Sequence, residues 1–129
     1  MKEITIETKL KEEMIDITGE VSRIVEKEGT NDGICVVFVP HTTAGVTINE
    51  NADPDVRHDI LLGLGSIVRE EPTFRHAEGN SAAHIKALLV GSSVTMPVKN
   101  GKIALGQWQG IYFSEFDGPR KRKVWVLAR

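Results

Sequence analysis

Between the turn signal Asn31-Asp32-Gly33 and Pro40, the chain runs through Ile34-Cys35-Val36-Val37-Phe38-Val39 without one polar side chain. The run is too short for a stable helix, and its β-branched residues favour extended backbone, so it predicts a strand. Because it shows no alternation, it fits a central strand covered on both faces. The rest of the chain must then supply a sheet around it and layers over it.

The flanking segments supply both. Glu3 to Lys9 sets Ile4, Ile6 and Thr8 against charged positions, the period of a half-buried strand. Ile17, Val21, Ile24 and Val25 recur at helical spacing, with Asp16 or Thr18 to cap the start and Gly29 to end it. After Pro40, His41-Thr42-Thr43 sits at a strand tip, and Gly45 to Glu50 reads as another strand. Its Val46 and Ile48 share one face, and Thr47 and Asn49 share the other. Asp53-Pro54 opens a helix whose buried face is Val56, Ile60, Leu64 and Ile67.

Glu70 to Gly79 has no period and contains Pro72, which predicts a loop carrying His76. Asn80 or Ser81 caps a further helix through Val90, with Ile85, Leu88 and Leu89 inward. From Ser93 onward the pattern is strands: Val94 to Val98, the hairpin signal Asn100-Gly101, Ile103 to Leu105, Gln109 to Phe116, and Lys123 to Leu127 after Asp117-Gly118-Pro119. With no repeat and no linker, this is one α+β domain over residues 1–129.

Charge narrows the partners. The net charge is −2 with acids and bases interspersed, so there is no positive field to attract nucleic acid. The one basic run, Arg120 to Lys123, follows a turn and reads as a solvated hairpin end. Cys35 is the only cysteine and reads as a buried, inert thiol. No apolar stretch approaches the length of a membrane span or resembles a signal peptide, which makes the cytoplasm the expected location.

Histidines and carboxylates carry the chemistry. His58 lies about 200° around its helix from both Val56 and Ile60, on the solvated side. His41 ends an apolar strand beside two hydroxyl residues, where rigid backbone holds a side chain at an opening. His84 falls at the edge of a buried helix face, and His76 lies in the preceding loop beside Glu78. If the fold gathers His41, His76 and His84 near a carboxylate such as Glu50 or Glu115, they suit a divalent metal. The same groups without metal suit phosphate binding or proton transfer. Spacing leaves the choice open. The acids Glu50, Asp53, Asp55 and Asp59 read mainly as favourable charge near a helix N-terminus, with Asp53 as the cap. Gly106-Gln107-Trp108-Gln109-Gly110 is equally a packing device or a binding turn.

Taken in order, four stretches closely resemble the YjbQ-like family. They are His41-Thr42-Thr43-Ala44, Ile48-Asn49-Glu50-Asn51-Ala52-Asp53-Pro54-Asp55-Val56-Arg57, Ala83-His84-Ile85-Lys86, and Ser93 through Gly101 to Gly106-Gln107-Trp108-Gln109-Gly110-Ile111. The resemblance implies a compact α+β fold with mostly antiparallel sheets and a homotrimer with sites near subunit boundaries. It also implies secondary thiamine-phosphate synthase activity, in which hydroxymethylpyrimidine diphosphate is joined to a thiazole phosphate with release of diphosphate. On that basis His41, Glu50, His84 and Lys86 are the expected catalytic residues. Thr42, Asn49, Asp53, Trp108, Gln109 and Glu115 are expected to bind substrate, and His41, His76 and His84 to hold a metal, magnesium or zinc. One departure is Ser114, where the family pattern has cysteine. Two other functions fit the same residues: a metal-dependent hydrolase or lyase acting on a small phosphorylated metabolite, and a non-catalytic homotrimer that binds a small ligand.

Overall fold

In a computed structural model describing residues 1–129, the chain forms eight strands and three helices. The strands are β1 (Lys2–Glu7), β2 (Glu13–Asp16), β3 (Gly33–Phe38), β4 (Ala44–Glu50), β5 (Ser93–Lys99), β6 (Lys102–Ile103), β7 (Gln109–Glu115) and β8 (Lys121–Ala128). The helices are α1 (Thr18–Glu28), α2 (Pro54–Ile67) and α3 (Ser81–Val90). Every strand pairing is antiparallel, in a five-stranded sheet ordered β1-β8-β3-β5-β6 and a three-stranded sheet ordered β2-β7-β4.

The main core lies between the two sheets. Cys35 and Val37 of β3, Val46 of β4, Ile111 and Phe113 of β7, and Val124 and Val126 of β8 meet there, joined by Val21 and Val25 of α1. Burial pushes the Cys35 thiol up to about 11, so it packs as a small apolar group and carries no nucleophile. Local signals set the connections. Asn100 and Gly101 both adopt positive φ in the β5–β6 turn, Gly29 closes α1 in the left-handed region, and the Asp53 carboxylate accepts the Asp55 N–H at the start of α2.

Three expectations change. β3 is indeed the middle strand of its sheet, but only one of its faces is covered: Ile34 is 52% exposed and Phe38 38%. The strand covered on both faces is β7, buried throughout from Gly110 to Glu115 because α2 and α3 lie over the outer side of the three-stranded sheet. β2 is an added strand, too short to show a period. The third change concerns the helices. α2 has no buried residue, and Ile67 is 75% exposed; on α3, Leu88 is 79% exposed and Leu89 55%. One protomer therefore leaves much of the apolar surface of these helices without a partner.

Candidate histidine–arginine cleft

Three connections converge at one edge of the three-stranded sheet. Pro40 to Thr43 crosses from β3 to β4, the loop before α3 brings in His76 and Glu78, and the β7–β8 connection brings in Asp117 and Arg120. Between them is an open cleft of about 440 Å³ lined, apart from Pro40, by polar and charged residues. His41, Thr42, His76 and His84 all line it, so folding gathers the histidines that lie far apart in sequence. His76 and His84 meet edge to face, with ring centroids 5.4 Å apart.

His41 is held by the neighbouring sheet. Its Nε2 accepts the backbone N–H of Lys123 at 2.8 Å, which requires a lone pair on that nitrogen. The neutral ring therefore carries its proton on Nδ1. Burial, followed by the positive charge of Arg122, holds its pKa below the ordinary 6.5. His41 thus presents an uncharged ring with one free N–H donor.

Behind it lies a buried ion pair. Glu115 is fully buried and Arg122 is 3% exposed, and the Arg122 Nε and Nη2 grip the Glu115 carboxylate. The Thr8 hydroxyl donates to the same carboxylate at 2.7 Å and the Asp117 N–H donates at 3.2 Å. Burial alone would raise the Glu115 carboxyl, but the hydrogen bonds from Arg122 and Thr8 outweigh it and hold the pKa below the usual range. Arg122 Nη2 also donates to Thr43 Oγ1 at 2.8 Å. Its Nη1 makes no hydrogen bond within the chain and the residue lines the cleft, so two N–H groups remain for a ligand there.

Arg122 and Thr43 were absent from the residues expected from the sequence. Within the basic run Arg120 and Lys121 are solvated as expected, but Arg122 is not: Arg122, Val124 and Val126 alternate inward along β8 and are all buried. That period was present in the sequence, and charge density obscured it. Glu115, expected to touch substrate, instead positions Arg122 from behind. Lys86 also leaves the expected site. It is 5% exposed, and its Nζ pairs with Glu12 Oε1 at 2.6 Å beside a neighbouring cavity of about 270 Å³ that adjoins the cleft at Asn80 and Asp117.

The other expected residues lie at the far end of β4. Seven residues of strand span roughly 20 Å, which separates Glu50 from the histidines in one protomer. Asp53 is engaged as the α2 cap. Trp108 is 56% exposed, and the Gln109 Oε1 accepts the Gly106 N–H at 2.7 Å within its own turn. Asn49 faces the helices beside α2 and α3. His58 is exposed beside Asp59, as its helical position predicts.

The histidines do not fit the expected metal. No three His, Cys, Asp or Glu side chains are grouped to hold an ion. Ligation through His41 Nδ1 would move the ring proton to Nε2, where it would face the Lys123 N–H donor. His41 is therefore a hydrogen-bonding group here.

The fold and cleft define an α+β protein of antiparallel sheets with a polar histidine–arginine site. The chain belongs to the family described as UPF0047 protein YjbQ-like, which it matches over residues 2–128. It is 53% identical over 121 residues to a UPF0047 protein of Methanocaldococcus jannaschii, covering 94% of this chain and 88% of that one. It is 49% identical over 127 residues to the UPF0047 protein YugU of Bacillus subtilis, covering 98% and 96%. A crystal structure of a YjbQ/UPF0047-family protein from Clostridium acetobutylicum superposes with a TM-score of 0.97 at 53% identity, each chain covered in full. A YbjQ-like protein from Sulfolobus solfataricus superposes at 0.94 with 35% identity, covering 98% of this chain and 94% of that one.

Proposed function

We propose that the cleft binds the phosphate of a small phosphorylated metabolite. The observation that carries this is Arg122, a guanidinium fixed by Glu115 and Thr43 with two donors left toward a cleft lined by histidines. A held, desolvated guanidinium matches phosphate geometry and needs little reorganisation to bind it. The His41 Nδ1–H adds a neutral donor.

The reaction is the one the family resemblance implies. The bond between the pyrimidine methylene carbon and the diphosphate oxygen breaks, diphosphate leaves with the electron pair, and the thiazole nitrogen forms the new C–N bond. Arg122 and His41 stabilise the leaving diphosphate, and His84 orients it. Such a reaction depends on positioning and charge stabilisation, and this site has no activated nucleophile to offer.

The working form is a homotrimer with the cleft near a subunit boundary. His84 and Leu88 lie one helical turn apart on α3 and line a shared groove with His41, so a partner covering the exposed Leu88 would also border the histidines. Purified protein assayed with both substrates and Mg²⁺ tests the activity, with His84→Ala as the comparison. Product from the parent and at least tenfold less from the variant is expected, and equal yields would overturn the assignment.

A further inference from the structure

The Ser114 hydroxyl is 1% exposed and has no hydrogen-bond partner in the chain. A buried hydroxyl without a partner is costly, and such groups are uncommon in folded proteins. Ser114 borders a cavity of about 170 Å³ between the three-stranded sheet and the helices above it. That cavity shares no residue with the histidine cleft.

Its lining is divided by layer. Met14, Ile60, Leu64, Leu89 and Val90 make an apolar wall, while the sheet presents Ser114, Thr47 and Asn49. The Thr47 hydroxyl makes no hydrogen bond in the chain, and Asn49 uses only its Oδ1, to accept the Glu50 N–H at 2.7 Å. No ionisable side chain lines the space, so a charged ligand would lose its hydration without a counter-ion. The volume corresponds to roughly five or six waters at ~30 Å³ each, enough for one small ring with a polar substituent. α2 covers this space without burying any residue of its own, so a ligand can enter without breaking a packed core.

We propose that this cavity is a second binding site, for a small uncharged molecule with an apolar body and one amide-like edge. Ser114 and Thr47 hydroxyls both donate and accept, and the Asn49 Nδ2 donates, so the edge they complement carries both kinds of group.

Benzamide has that form, and toluene has the body without the edge. Titration of the full-length protein with each, followed through the NMR signals of Met14, Thr47 and Ser114, tests the site. Saturable shifts with benzamide and weaker binding of toluene are expected, with the His41 and His84 ring signals unmoved. Ser114→Ala removes one neutral hydrogen bond and should weaken benzamide roughly threefold to tenfold while leaving toluene unchanged. Because the hydroxyl has no partner, Ser114→Ala should also melt no lower than the parent. Thr47→Val, which keeps the side-chain shape, should give a similar selective loss. The assignment is overturned by equal binding of the two ligands, by an unchanged benzamide affinity in both variants, or by shifts confined to the histidine cleft.

Discussion

Glu115→Gln is the sharpest perturbation of the cleft, because it removes one charge and almost no volume. In the parent, the carboxylate accepts from Arg122, Thr8 and the Asp117 N–H while fully buried. The amide turns a donor toward the guanidinium and leaves Arg122, only 3% exposed, without its counter-ion. Breaking a buried pair in this way costs ~3–5 kcal/mol. At about 2.1 cal/mol/K per residue, a chain of 129 residues melts with an entropy of roughly 0.27 kcal/mol/K, so Tm should fall by roughly 11–18 °C. Since the folded pKa of Glu115 lies below its ordinary 4.5, the pair's contribution is present above that pH and is lost as pH falls through the folded value. Calorimetric melts at neutral and acidic pH should therefore converge for parent and variant as the pH falls below 4.5 and through the lower folded value. The double change Glu115→Leu with Arg122→Met should recover most of the neutral-pH loss, because no charge then remains buried. A Tm loss below about 3 °C, or a double variant no more stable than Glu115→Gln, would refute the account.

His41 should titrate with a midpoint below 6.5, and acidification through that pH should reduce stability, because the unfolded ring takes up a proton before the half-buried folded one does. An NMR ring titration with a midpoint at or above 6.5 would contradict this. Gly45→Ala places a methyl group 2.5 Å from the Gly91 carbonyl oxygen, where β4 meets the end of α3, and should cost ~1–3 kcal/mol in chemical denaturation. If the proposed homotrimer forms through α3, Leu88→Glu should reduce the mass measured by light scattering below that of the parent, and an unchanged mass would place the subunit contact elsewhere.

The fold was legible wherever one residue fixes local geometry. Asp53-Pro54 began α2, Gly29 ended α1, and Asn100-Gly101 formed the β5–β6 turn, because each constraint acts within a few residues. Burial was less legible because it depends on what the other layers cover. Ile34 to Val39 looked covered on both faces yet leaves Ile34 and Phe38 exposed, while β7, with Tyr112 and Ser114 among its residues, is enclosed. The apolar positions of α2 and α3 were expected to face inward, yet within the protomer Ile67, Leu88 and Leu89 stay uncovered.

The site divides in the same way. His41, Thr42, His76 and His84 converge, because a strand tip, a loop and a helix entrance all open onto one sheet edge. Glu50, Asp53, Trp108 and Gln109 belong to the other end of β4, a separation that follows from strand length and that no local spacing could reveal. What local spacing did contain, and charge concealed, was Arg122: reading Arg122, Val124 and Val126 as one face of β8 places a guanidinium inside the protein, where it requires a carboxylate. Glu115 is the acid that β7 delivers to it, so the residue that seemed to face a ligand instead fixes Arg122.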